Sequence, residues 1–239
     1  MVCAPKFVIP RTEIEVEEGV GGIIGRGALG EVRRGTFRGN VCALKSLHLL
    51  RTDAASLAAM GGALNPDERS AYLQKFTQEC NFMQGFEHAN IVPFFGVVVD
   101  DTEAMEPLFL AMQYIPSGSL QDMIHGARYA PMRTNDACLP IEAQAVALLG
   151  MFSALQYLSE RNLIHRDVKP ANILAVLDQG GDELSKVLLA DFGEAKQLTR
   201  SMSRVSAAGT PVYMAPEMKE EEEELKSPKA DVFSAGVVQ

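Results

Sequence analysis

"LIHRDVKPANIL", residues 163–174, sets His165, Arg166, Asp167, Lys169 and Asn172 within eight positions. Leu163 and Ile164 precede this cluster and Ile173 and Leu174 follow it, and these apolar flanks read as buried strands. A carboxylate, cations and an amide held that close to a core are expensive to desolvate unless they pair with one another or with a ligand. The stretch therefore predicts a loop that carries chemistry between two short strands.

The rest of the 239-residue chain bounds what that chemistry serves. Its length allows one large domain or two small ones, and 47% apolar residues support a sizeable core. The net charge of -9 argues against a nucleic-acid partner attracted by the whole protein. No run approaches the roughly 18 consecutive apolar residues of a membrane span. The start, "MVCAPKFVIPR", lacks the pattern of a signal peptide. Cys3, Cys42, Cys80 and Cys138 form no CxxC pair and read as reduced thiols, so a soluble, cytoplasmic protein is expected.

The first third has strand character. "TEIEVEE" alternates Ile14 and Val16 with charge, and "GEVRRGTFRGNVCALKSL" gives a run ending at Arg34, a glycine-containing turn and a second run over Val41–Leu47. An Ala/Gly-rich stretch, "TDAASLAAMGGALN", reads as an insertion before a helix that Asn65 caps, with Pro66 in its first turn and Glu68 completing a capping box. The helix's apolar face is Leu73, Phe76, Cys80 and Met83, with Glu79 beside it. Two further strands, "NIVPFFGVVV" and "PLFLAMQYI", end at "PSGSL". Helical composition then takes over in "PIEAQAVALLGMFSALQYLSERN", with a stripe of Leu148, Phe152, Leu155 and Leu158 and Asn162 as a left-handed stop. Strands first and helices second, joined by a short Gly/Pro link, suggest two unequal lobes with a cleft where they meet.

Several stretches could carry chemistry. Gly25, Gly27 and Gly30 in "IIGRGALGEV" form GxGxxG, a weak signal alone because glycines also mark ordinary turns. Here the motif leads through Glu31 and Val32 into a second strand, and a hairpin of this kind can turn backbone amides toward phosphate. Lys45 lies among apolar residues in "VCALK"; it either snorkels to the surface or takes an acidic partner, for which Glu79 is available. Asp191 follows an apolar strand in "LLADFGEAK" and is either a turn former or, with Asn172, a source of hard oxygen ligands for magnesium. "GTPVYMAPE", residues 209–217, sets turn formers around Thr210 and Tyr213.

In this order, "GRGALGEV", "CALK", Glu79, "HRDVKPAN", "DFG", "APE" and "DVFSAGVV" make the sequence resemble a eukaryotic protein kinase over roughly residues 18–239. The resemblance implies an α+β, two-lobed fold. Residues 1–17 would be a lead-in, about 18–113 a small, mainly antiparallel β N-lobe with one key helix, and about 113–116 a hinge. A larger, mainly helical C-lobe would follow over about 117–239, incomplete here because the family continues past Gln239. It also implies ATP and Mg2+ as cofactors. Asp167 would accept or orient the acceptor hydroxyl's proton, Lys169 would neutralise the transferring phosphoryl group, and Asn172 and Asp191 would hold magnesium. Lys45, fixed by Glu79, would contact the α- and β-phosphates. Gly25, Gly27 and Gly30 would cover them, and adenine would lie among Ile24, Val32, Ala43 and Leu174. Adenine would bond the Gln113–Ile115 backbone, with Met112 as gatekeeper. His165 would pack with Met83, Phe94 and Phe192 in a spine anchored by Asp231.

Lys169 two residues past Asp167, together with "GTPVYMAPE", is the serine/threonine pattern, in which Thr210 can bond both Asp167 and Lys169. "FEHANIVPFFGVV" and "YIPSGSL" resemble the tyrosine-kinase-like group, similar to Raf-like and mixed-lineage kinases. The implied partners are a protein substrate with a Ser or Thr acceptor and an upstream activating kinase whose phosphate at Ser206 would meet Arg166. The departures are Leu29 in place of an aromatic, the 34 positions between Lys45 and Glu79, and the five glutamates at 220–224, which read as a solvated face. A pseudokinase, or a non-catalytic fragment acting as a binding module, is the alternative function. For the chain ending at Gln239, weak activity and aggregation are expected.

Overall fold

The computed structural model describes residues 5–27, 30–47, 66–100, 107–134, 138–198, 209–219 and 227–238. Asn65, Leu29, Ser206, the Ala/Gly-rich insertion and the glutamates at 220–224 lie outside the described residues. The chain divides into two compact units: residues 1–86 with 93–114, and residues 87–92 with 115–239.

The first unit is built on a sheet whose strands are β1 (Val8–Pro10), β2 (Ile14–Val16), β3 (Ile23–Gly27), β4 (Gly30–Phe37), β5 (Asn40–Leu47), β6 (Phe94–Val99) and β7 (Pro107–Gln113). Their order is β1-β6-β7-β5-β4-β2, and β3 also pairs with β4. The pairs are antiparallel except β1 with β6, where Val8, Ile9 and Pro10 run alongside Val97, Val98 and Val99. A three-residue strand such as "VIP" has too few positions to show a period, so sequence reading passes over it.

The β4–β5 hairpin corrects the expected turn. β4 continues past Arg34 to Phe37, and the chain reverses at Arg38 and Gly39, with φ of 48° and 78°. Positive φ at both central residues is what a two-residue type I′ turn requires. Gly35 is a strand residue instead. A Cβ there would lie 2.5 Å from Leu44 Cδ1 and 2.7 Å from the Glu15 carbonyl oxygen, so β2 and β5 close over it.

One sheet face packs Cys42, Leu44, Val98 and Ala111 under Ile9 and Ile14. Helix α1 (Pro66–Met83) completes this unit and buries Phe76, Cys80 and Met83, as its apolar spacing predicts, while Leu73 is half-buried and Glu79, beside that seam, is buried as well.

The second unit holds α2 (Leu120–His125), α3 (Ile141–Glu160), α4 (Pro216–Lys219) and α5 (Lys229–Val238). Two short antiparallel pairs join them: β8 (Leu163–Ile164) with β11 (Lys196–Gln197), and β9 (Ile173–Leu177) with β10 (Leu184–Leu189). Residues 87–92 belong here because Val92 N–H donates to the Leu189 carbonyl (3.0 Å) and Leu189 N–H to Asn90 (2.8 Å). Ser119 and Asp122 form a capping box on α2.

Helix α3 corrects the expected stripe. Leu155 and Leu158 are buried, but Phe152 is 40% exposed, and the buried face is mostly small: Ala143, Ala147, Gly150, Met151 and Ala154. The reason is close approach, since a Cβ on Gly150 would lie 2.7 Å from Val187 of β10 and 2.8 Å from Asn90. Pro140 is the N-cap, one residue earlier than the first-turn position, and Asn162 stops the helix with φ of 55°. With a mean hydropathy of 1.3, α3 is long and apolar enough to cross a membrane by length and composition alone. Its buried residues pack inside this unit.

Candidate active site

Strand register decides which side chains of the first unit share a face. Val32 pairs with both Gly25 and Lys45, and Lys45 with Leu110. Ala43, two residues from Lys45, pairs with Met112. Side chains alternate along a strand, so Gly25, Val32, Ala43, Lys45 and Met112 lie on one face, opposite Leu44 and Cys42. Ile24 and Gly27 belong to β3, Gly30 opens β4, and Gln113 closes β7. Glu79 reaches Lys45 from α1. The Lys45 ammonium donates to both carboxylate oxygens, at 2.7 and 2.8 Å, and the two side chains are 13% and 4% exposed. Of the two readings open for Lys45, the paired one holds.

In the second unit the loop between β8 and β9 converges on Asp167. Its Oδ2 accepts from Lys169 Nζ at 2.6 Å and from Asn172 Nδ2 at 2.9 Å. Asn172 Nδ2 also donates to the Asp167 carbonyl at 2.8 Å. Oδ1 accepts the Thr210 hydroxyl proton at 2.8 Å, while Lys169 Nζ donates to that same hydroxyl at 2.9 Å. Gly209 makes this approach possible, with φ of 113° and no room for a Cβ against the Arg166 carbonyl. The amide nitrogen of Asn172 is committed to Asp167, and its oxygen is the atom suited to a hard cation. Asp191 stands past β10 with φ of 62°, its carboxylate 3.4 Å from the Gly193 N–H. Leu174 is on β9, and Ile115 is buried at the start of the unit's second segment.

Beneath the loop, His165 is fully buried and meets Phe192 edge-on at 5.0 Å. Its Nδ1 faces the Asp167 N–H and its Nε2 the Ala190 carbonyl, so it packs and orients. Asp231 of α5 accepts from the backbone N–H groups of His165 (2.6 Å) and Arg166 (2.8 Å), the anchoring the resemblance implied. Burial raises the Asp231 carboxyl pKa; His165, Arg166 and those two N–H groups oppose it. Arg166 has φ of 69° and is half-buried, and the desolvation lowers its pKa against the pull of Glu194 and Asp231. Left-handed conformations at Arg166 and Asp191 are of the kind that gathers at functional sites.

Arg166 Nε donates to the Glu194 carbonyl at 2.5 Å, and its Nη2 lies 3.7 Å from the Glu194 carboxylate. Sequence reading assigned Arg166 to a phosphate and passed over Glu194, although an acid directly after "DFG" was the available signal.

A sheet with a buried Lys–Glu pair, and a helical unit in which aspartate, lysine, asparagine and threonine meet in one loop cluster, define the protein kinase class. Residues 19–239 match the protein kinase domain family, and the chain belongs to it. It is 31% identical to mitogen-activated protein kinase kinase kinase 7 of Homo sapiens, over all of this chain and 33% of that protein. It is 32% identical to a probable serine/threonine-protein kinase of Dictyostelium discoideum, over 81% of this chain and 33% of that protein. Mitogen-activated protein kinase kinase kinase 3 of Arabidopsis thaliana is 30% identical, over 83% and 28%. The domain is of the serine/threonine type and resembles the tyrosine-kinase-like group. The chain spans about a third of the length of the curated relatives it matches.

Proposed function

We propose that this chain transfers the γ-phosphoryl group of ATP, with Mg2+, to a serine or threonine hydroxyl of a protein substrate in a signalling pathway. The observation that carries this reading is the Thr210 hydroxyl. It donates to Asp167 and accepts from Lys169, and so occupies the arrangement an acceptor hydroxyl needs: a proton acceptor on one side and a cation on the other. In the reaction Asp167 orients the incoming hydroxyl and receives its proton, while Lys169 offsets charge on the phosphoryl oxygens. Asn172 and Asp191 would hold magnesium, which supplies charge to the γ-phosphate when bound. In the first unit Lys45, held by Glu79, positions the α- and β-phosphates. The glycines Gly25, Gly27 and Gly30 of β3 and β4 would cover them, and in the same unit Ile24, Val32, Ala43 and Met112 offer apolar contact for adenine. Little of this is covalent work. Positioning and preorganised charge are what a loose phosphoryl transition state requires.

An activating phosphate at Ser206, added by an upstream kinase in the cytoplasm, belongs to the same proposal. It would compete with Glu194 for Arg166. The test is labelled phosphate transfer from ATP to a Ser/Thr-containing protein, with and without Mg2+. The expected result is Mg2+-dependent phosphoserine or phosphothreonine; nucleotide binding without transfer to any hydroxyl contradicts the reading.

A further inference from the structure

The sheet face opposite Lys45 carries a second buried ion pair, which the proposed reaction does not use. Glu31 and Arg33, two residues apart on β4, are 5% and 8% exposed, and Arg33 Nε donates to Glu31 Oε1 at 2.5 Å. The other carboxylate oxygen of Glu31 lies 3.9 Å from Arg26 Nε. Arg26 is the Cα partner of Glu31 across the β3–β4 ladder, one step from the Gly27–Gly30 pair at the turn. Ser46 of β5 donates to the Glu31 carbonyl at 3.2 Å. Arg33 Nη1 reaches the other way, to the carbonyls of Glu17 (3.3 Å) and Gly19 (3.1 Å) in the segment that leads into β3. That segment is already tight, because a Cβ on Gly22 would run into the Glu17 carbonyl. One guanidinium thus grips the entry to the glycine strand and, through Glu31, the turn end of the same hairpin.

A buried pair of this kind adds little net stability over well-packed apolar residues. What two charge-assisted contacts do supply is direction, since a planar guanidinium fixes each partner relative to the others. We infer that Arg33, with Glu31, is a positioning pair that holds the paired glycine strands β3 and β4 in register at Gly25, Gly27 and Gly30 and thereby sets the affinity for a nucleoside triphosphate without touching it. The inference rests on the reading of that hairpin as phosphate-binding.

The test uses R33M, R33K, E31Q and the double variant R33M/E31M in the full 239-residue chain. Each is followed by titration with a fluorescent ATP analogue in Mg2+, by KM for ATP, by kcat and by thermal melting. R33M and E31Q are expected to raise Kd and the KM for ATP about tenfold, the loss of about 1.4 kcal/mol of binding. Turnover at saturating ATP should stay within about twofold, the signature of binding lost equally from ground and transition states. R33K, with a charge but no fork, should recover part of the affinity. R33M/E31M removes both buried charges and should melt close to wild type while keeping the raised KM. That separates positioning from stability. An unchanged KM in R33M, or a wild-type KM in the double variant, overturns the inference alone. A wild-type protein that binds no nucleotide overturns the phosphate-binding reading of the hairpin, and the inference with it.

Discussion

Replacing Lys45 with methionine removes the cation from the buried pair with Glu79 and leaves a carboxylate whose side chain is 4% exposed. Both Glu79 oxygens lose their ammonium donor, at 2.7 and 2.8 Å. Breaking one partner of a buried pair costs about 3–5 kcal/mol. At about 2–4 °C per kcal/mol, the melting transition should fall by roughly 6–20 °C. The second arm is K45M/E79L, in which neither charge remains and the space stays filled. Swapping such a pair for apolar residues is often neutral, so this variant should recover most of the lost melting temperature. Neither variant should position ATP phosphates, so nucleotide affinity should stay low in both. Differential scanning calorimetry and fluorescent-nucleotide titration read the two quantities separately. A K45M protein that melts within about 2 °C of wild type, or a K45M/E79L protein that binds nucleotide as tightly as the native pair, would refute the role given to this pair.

Three further outcomes follow from particular contacts. G150A should destabilise the second unit by about 1–3 kcal/mol, because its Cβ would meet Val187 at 2.7 Å, and urea melts measure it. D231A strips the acceptors from the His165 and Arg166 N–H groups and should cost about 2–6 kcal/mol in the same assay, with V232A as an exposed control on that helix. His88 has its pKa lowered from 6.5 by burial first and by Arg161 second, with Glu160 opposing. Its neutral form is therefore favoured on folding, so its share of stability is full above 6.5 and is lost as pH falls below it. H88Q should flatten the acid side of a plot of melting temperature against pH below 6.5.

What the sequence reveals here depends on whether a residue's environment is local. Lys45 is legible because a cation amid apolar strand residues needs a partner, and α1 offers Glu79 beside its apolar seam. Asp167, Lys169 and Asn172 are legible because they share one short loop, and Asn162 because it follows a periodic helix. Gly35 misleads: as a sequence signal it marks a turn, but its absent side chain is what lets Leu44 and Glu15 approach, while Arg38 and Gly39 make the reversal. Phe152 misleads for a related reason. The face of α3 that meets β10 is chosen by close approach at Gly150, so small residues go inward and the aromatic stays out. Glu31 and Arg33 look like an alternating surface pattern, and only the carbonyls of Glu17 and Gly19 turn them into a buried pair.

In the proposed transfer Asp167 receives the proton of the acceptor hydroxyl. Asp167→Asn keeps the size of the side chain and removes the proton acceptor. Single-turnover transfer of labelled phosphate from saturating Mg-ATP to a Ser/Thr substrate, read beside nucleotide affinity, isolates that step. D167N is expected to lose about 10²–10⁴-fold in transfer rate, the usual worth of a general base, while nucleotide affinity stays within about twofold of wild type. Transfer by D167N at the wild-type rate would contradict that role.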